Sequence, residues 1–217
     1  MTIRRHPRDE TLLEYAAGTL VSALSAVVAC HLTLCPRCRA EVRRMERIGG
    51  ALLGSLKGEV LALPALERAV VAAQGISAAG DEPSAPPVAD GVLPPPLARY
   101  LGMGIGDIPW KKVGPGVRQF KVKLPSRGGD LRLLSVKPGV SLLHHGHYGS
   151  ELTLVLAGAY CDETGEYQTG EVADLDDETE HLPRAIGTEP CICIIAGETH
   201  PRYSSLKIRM LRPFLGF

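Results

Sequence analysis

Two changes of pattern along the chain predict a multidomain fold: a small all-α domain of about four helices, then an all-β barrel or sandwich. The first part of the 217-residue chain places apolar residues at helical spacing. The last part alternates apolar and polar residues, with Gly, Pro or Asp recurring roughly every ten residues. Between them lies a segment rich in Pro, Ala, Gly and Asp, a composition that makes an extended, poorly structured tether. The expected boundaries are a helical domain over 1–76, a flexible linker over 77–99 and a β domain over 100–217.

Each element has a local reason. DETLLEYAAG places Asp9 as the expected N-cap, Leu12, Leu13 and Tyr15 as apolar positions, and Gly18 as a stop. TLVSALSAVVACHLTL reads as a second helix, apolar enough to be well buried. Pro36 suits the first turn of a third helix, where its missing N–H costs nothing. That helix, PRCRAEVRRMERIGGALLGSL, is amphipathic, with Val42, Met45 and Ile48 on one side. LPALERAVVAAQG is a short fourth helix. Further on, VRQFKVKL, LRLLSVKPG and ELTLVLAGAY read as strands.

Composition excludes some functions. Lys plus Arg and Asp plus Glu balance at 24 each, and a protein that engulfs nucleic acid usually carries a basic excess. No apolar run reaches the length of about 18 residues that a membrane span needs. The charged N-terminus lacks an apolar signal core behind it, so the expected location is the cytoplasm. In a reducing compartment the six cysteines read as metal ligands, reactive thiols or small core residues rather than a disulfide framework.

HLTLCPRCR places His31, Cys35 and Cys38 in the order H-x3-C-x2-C. On a helix His31 and Cys35 share a face, and Cys38 follows one tight turn later. A redox pair or a chance turn with two thiols is the alternative. Zinc takes four N or S ligands in a tetrahedron, so a fourth is needed. His6 is one candidate. Cys30 is the other, but next to His31 it points about 100° around the helix. A small helical domain has a thin core, and a metal staple would help it fold.

With His6 upstream, this pattern resembles that of the zinc-binding anti-sigma factors. The resemblance implies a helical domain that binds an extracytoplasmic-function (group IV) sigma factor and blocks its access to RNA polymerase. It also implies zinc on His6, His31, Cys35 and Cys38.

The β domain contains GVSLLHHGHYGSELTLVLAG. His145 and His147 are two apart, so on a strand they project from one face. Glu151 keeps that parity, and His181 lies downstream in EHLPRA. Three imidazoles and a carboxylate lining a β barrel make a metal cage. The spacing from Gly139 through His145, His147 and Glu151 to Gly158 resembles the first motif of the cupin barrels. Gly170, His181 and Pro183 resemble part of the second. The likeness covers roughly residues 100 to 217 and implies fold and metal ligation, since cupins carry many activities. His144 has the opposite parity and is expected to point outward. His200, in GETHPRY, is expected in a turn.

A zinc anti-sigma domain followed by a cupin resembles the ChrR-type anti-sigma factors. That likeness implies two zinc ions, one per domain, and a 1:1 complex with the sigma factor, with no direct contact to nucleic acid or membrane. It also implies that the cupin is needed for release under singlet oxygen and related photooxidative stress, and that the protein is a negative regulator of transcription and not an enzyme. Cys191 and Cys193 in EPCICIIAG share a strand face, and Cys161 closes another strand; each reads as a core thiol or an oxidisable sensor. Leu12, Leu13, Val42 and Leu52 on the early helices, and Leu63, Leu66 and Val70 on the fourth, are candidate docking positions. The cluster of Arg37, Arg39, Arg43, Arg44 and Arg47, interleaved with Glu41 and Glu46, reads as a solvated face or a contact for an acidic partner. The rival function is a metal-dependent, oxygenase-like cupin enzyme with an accessory zinc domain.

Overall fold

The computed structural model describes residues 2–58, 63–75, 91–124 and 128–202. Helix α1 (Asp9–Ala17) carries Asp9 and Glu10 in its first turn, where carboxylates favour the positive end of the helix dipole. The expected cap moves by one residue. Arg8 holds the N-cap position without a side-chain capping bond, and Asp9 is already helical. Gly18, at φ 71°, ends the helix by donating its N–H to the Tyr15 carbonyl, while Thr19 N–H reaches Glu14. Helix α2 (Ser22–Leu34) is apolar on most of its surface, and α3 (Pro36–Ser55) starts on its proline. Helix α4 spans Leu63–Gly75.

The linker expected over 77–99 ends sooner than its composition suggests. Residues 76–90 lie outside the described residues, but α5 (Pro95–Leu101) is a helix packed on α2. Leu93, Leu97 and Ala98 are buried in that contact. Apolar residues spaced among the prolines form this seat, and the Pro content concealed it.

The β strands are β1 (Lys111–Gly114), β2 (Val117–Val122), β3 (Asp130–Val136), β4 (Glu151–Ala157), β5 (Ala159–Asp162), β6 (Gly165–Gln168), β7 (Val172–Leu175), β8 (Arg184–Ile186) and β9 (Cys191–Gly197). They form a six-stranded sheet in the order β1-β2-β3-β9-β4-β7 and a three-stranded sheet in the order β6-β5-β8, with antiparallel pairing. Gly158 turns the chain between β4 and β5 at φ 72°. A Cβ there would lie 2.6 Å from the Pro190 carbonyl oxygen, so the turn takes glycine for two reasons.

The central strands β3, β4 and β9 of the larger sheet are buried on both faces. On β4, Glu151, Thr153 and Val155 face the barrel interior, while Leu152, Leu154 and Leu156 face out. On β9, Cys191, Cys193 and Ile195 face in, while Ile192, Ile194 and Ala196 face out. Helix α2 lies on the outward face of β3, β4 and β9. Its Ala23, Leu24, Val27 and Val28 join Leu152, Leu154 and Ile194 in one apolar core. The two halves on either side of the expected flexible linker therefore share a core. Among the described residues no single helix is long and apolar enough to cross a membrane.

A shared core predicts shared stability. Leu24 is 1% exposed within it, and Leu24→Ala should cost about 2–5 kcal/mol. Unfolding followed by helical circular dichroism and by the fluorescence of Trp110 in the β half should shift together. Separate transitions, with only the helical one moved, would contradict a common core.

Candidate metal centres

The first cluster is built at the junction of three elements. Helix α2 delivers His31 in its last turn. Cys35 is extended (φ −112°) between α2 and α3, and Cys38 lies in the first turn of α3. The segment before α1 brings His6 back over them. His6 Nδ1 lies 3.4 Å from Cys35 Sγ and 3.3 Å from Cys38 Sγ, and His31 Nε2 lies 3.3 Å from Cys38 Sγ. With Zn–N of about 2.0–2.1 Å and Zn–S of about 2.3 Å, the N–S edge of a tetrahedron is about 3.5 Å. The ligand atoms thus sit at the spacing a tetrahedral ion requires, all within 4.8 Å of one another. Cys30 is outside the cluster. It is buried in the core, and burial pushes its thiol up to about 12.

The protonation states suit a cation. Burial pushes the His31 imidazole down to about 4, so it is neutral at physiological pH. Burial lowers His6 as well. Burial and the neighbouring Cys35 sulfur push the Cys38 thiol up to about 12. Two adjacent buried thiolates form readily only around a positive ion that displaces their protons.

The supports of this cluster come from the β half. His31 Nδ1–H donates to the Gly170 carbonyl at 3.0 Å, which leaves the Nε2 lone pair for the cluster. Gly170 sits in the β6–β7 turn at φ 87°. Both flanks of His6 are tied to the same region. Arg4 N–H donates to Glu171 at 2.9 Å, and Val172 N–H donates to the Arg5 carbonyl at 3.2 Å. The Arg8 backbone N–H and the Thr11 hydroxyl both donate to Asp174 Oδ2, at 2.8 and 2.7 Å. The cupin-like motif marks Gly170 but not its tie to His31, and no local signal marks Glu171 or Asp174, because these two act across more than 150 residues and Gly170 across 139.

The second cluster lies inside the barrel. His145 and His147 were expected on a strand. They occupy an irregular extended segment before β4, pinned by two adjacent bridges: His145 and His181 exchange backbone bonds of 3.1 and 2.9 Å, and Gly146 and Arg202 exchange bonds of 2.9 and 2.7 Å. Their side chains still converge, with ring centroids 5.1 Å apart, and both are buried. Glu151 opens β4 and His181 precedes β8. His145 Nδ1–H donates to the Leu143 carbonyl at 2.7 Å, and His181 Nδ1–H donates to Asp162 Oδ2 at 2.8 Å. Both Nε2 atoms then carry lone pairs, yet they face each other at 3.3 Å. That spacing is repulsive without a cation and equals the N–N edge of a tetrahedron, about 3.3 Å. His147 Nδ1 lies 3.2 Å from Glu151 Oε2, and its Nε2 is buried without a partner.

Burial pushes His145 down to about 4. Burial alone would raise Glu151, but the His147 hydrogen bond and the surrounding imidazoles hold its carboxyl below the usual range. Three imidazoles and one carboxylate suit zinc, iron or manganese. Asp162, which orients His181, escaped sequence reading.

The other candidates fall elsewhere. His144 is half exposed, 3.9 Å from Glu180. His200 packs its Nδ1 3.2 Å from Asp130 and 3.1 Å from Arg132. Cys191 and Cys193 are buried in the barrel wall and Cys161 is half-buried, all outside both clusters.

A helical unit with a two-His, two-Cys cluster is packed on a barrel with a three-His, one-Glu cage, so the protein joins two modules, each with a group able to hold a metal ion. Residues 101–199 match the model of the ChrR cupin-like domain. The anti-sigma-E factor ChrR of Cereibacter sphaeroides is 40% identical over 215 residues, 99% of each chain. The crystal structure of Rhodobacter sphaeroides SigE in complex with the anti-sigma ChrR contains a chain similar at a TM-score of 0.76 and 39% identity, covering 90% of this chain and 99% of that one. The chain belongs to the ChrR family of anti-sigma factors.

Two predictions follow from the geometry. Asp174→Ala should weaken metal retention in the first cluster about 10–100-fold without removing a ligand, as loss of an orienting partner does; chelator competition reads it. The second concerns pH in chelator-treated protein. The folded His31 and His145 rings protonate near pH 4, but their unfolded value is 6.5. The unfolded chain therefore binds more protons between these limits. Stability should be full above pH 6.5 and fall as pH drops toward 4, read from the denaturant midpoint.

Proposed function

We propose that this protein is an anti-sigma factor that binds and inhibits an extracytoplasmic-function (group IV) sigma factor in a 1:1 complex. The observation that carries this reading is the 40% identity spanning 99% of the chain. On this reading His6, His31, Cys35 and Cys38 hold one zinc, and His145, His147, Glu151 and His181 hold a second. The protein acts in the cytoplasm, and the cupin part drives release under singlet oxygen and related photooxidative stress.

Surface chemistry supports the reading. The helical part exposes Leu13 on α1, Ile48, Leu52 and Leu53 on α3, and Leu66, Val70 and Val71 on α4. Exposed apolar residues on several helices of one small unit mark a docking surface. Leu12 and Val42, candidate docking positions by sequence, are 2% and 4% exposed and belong to the core. On the Arg-rich face Arg44 pairs with Glu41 at 2.9 Å, which favours a solvated role for that pair. Cys191 and Cys193 stand as candidate oxidation sensors. A Cys191→Ser, Cys193→Ser protein that released its sigma factor normally under singlet oxygen would remove them from that role.

Co-expression of the full chain with group IV sigma factors should yield a co-purifying 1:1 complex that silences the sigma-dependent promoter. Leu52→Asp with Leu53→Asp should weaken that complex about 100-fold, since two buried leucines contribute about 3 kcal/mol or more. Failure to capture any such sigma factor would refute the reading. Metal analysis of the purified complex should find two zinc per chain.

A further inference from the structure

The barrel encloses a cavity of about 410 Å³. That is the space of about 14 waters at about 30 Å³ each, within the range of small-molecule sites. Its walls are apolar: Leu134, Val136, Leu142, Ala185 and Ile195 among others. Arg132 and Asp130 also reach it, but they are paired with each other. The cage residues His145, Glu151 and His181 form one wall.

Tyr160 supplies the second polar feature. It is 4% exposed, lines the cavity and stacks on Tyr167 at 4.9 Å. Its hydroxyl is buried without a hydrogen-bond partner. Burial and the nearby Asp162 carboxylate push this phenol well above its ordinary value, so it stays a proton donor. A buried donor without an acceptor is costly, typically about 1–3 kcal/mol, and such a cost is relieved by a ligand that accepts the bond.

Charge selects the ligand's head. A divalent ion held by three neutral imidazoles and one carboxylate keeps one net positive charge beside an apolar space. A single anion neutralises it; a neutral ligand leaves it uncompensated. We infer that the barrel binds a small monocarboxylate with an apolar body, its carboxylate between Tyr160 and the cage and its body along Leu134, Val136 and Ile195. The inference rests on the reading of the cage as a metal site. Cys191 and Cys193 form part of the same wall, and β9 carries the α2 seat on its other face, so occupancy of the cavity bears on the helix packed outside.

Octanoate, titrated into metal-replete full-length protein by calorimetry, tests this. One molecule per chain should bind and raise the melting temperature. Tyr160→Phe should weaken binding about tenfold, and Leu134→Trp, which intrudes on the space for the apolar body, should weaken it at least as much while two metal ions remain per chain. Acetate, a head without a body, should bind far more weakly. Octanoate that ignores a chain holding both metals overturns the inference alone. A cage that takes up no metal overturns the metal reading and the inference with it. Binding unchanged in both variants, or acetate as tight as octanoate, places the ligand elsewhere and also overturns it.

Discussion

The His31 ring is held from both halves of the chain. Its Nδ1–H is fixed by the Gly170 carbonyl of the β half, and its Nε2 faces Cys38 of the helical half. The carbonyl can only accept, so it dictates which nitrogen carries the proton. It thereby leaves the other nitrogen's lone pair facing the cluster, available to a metal ion. If the β6–β7 turn moved away, His31 would lose both its orientation and its fixed tautomer. An orienting partner of this kind is typically worth about 10–100-fold in metal affinity. His6 is positioned by the same turn and strand, through the bonds that flank it at Arg4, Arg5 and Arg8. Both imidazoles of the first cluster thus depend on the β half, while its two sulfurs belong to the helices. By linkage the dependence is mutual: an ion on the four ligands also holds the two halves together.

The larger sheet makes this joint stiff. Glu151, a cage residue, is followed by Leu152, which is wholly buried beneath the helices. Cavity wall and helix seat alternate along β4 and β9 in the same way. A strand cannot shift one set without the other, because its backbone is common to both. Gly170 N–H also donates to Val155 on β4, and Val155 N–H to Glu171, so the turn that orients His31 is bonded to the strand that starts with Glu151. The two metal clusters are therefore connected by contiguous backbone rather than by a solvent gap.

Much of this was legible in the sequence because it is local. H-x3-C-x2-C needs only one helix end and one turn to converge, and Pro36 marks where α3 begins. His145, His147 and Glu151 converge even though the segment is not a strand. The contact between the halves was less legible. Its traces were the all-round apolar character of α2 and, in ELTLVLAG, apolar residues at most positions of both parities. Both say that two faces are buried; neither says against what. Leu93, Leu97 and Ala98 were concealed by the prolines around them. Asp162 bonds His181, Gly170 bonds His31, and Asp174 bonds Arg8 and Thr11 across long stretches of chain, and a sequence offers no periodicity for such bonds.

The arrangement constrains how a bound sigma factor would be released. Simple competition requires the cupin part and the sigma factor to want the same surface. Yet the residues that α2 buries against the sheet are distinct from the exposed apolar residues of α1, α3 and α4. The cupin can remain docked while that surface is occupied. Release must then arise from a change in the shape or stability of the helical unit. A ligand or a chemical change in the barrel can produce such a change only by acting differently on two states of the protein. The elements with the right connections are the β6–β7 turn and strands β4 and β9, which touch the barrel interior on one side and hold His6, His31 and α2 on the other. Loosening them would withdraw the supports of the first cluster, and the helical unit, with its thin core, would lose the form that grips its partner.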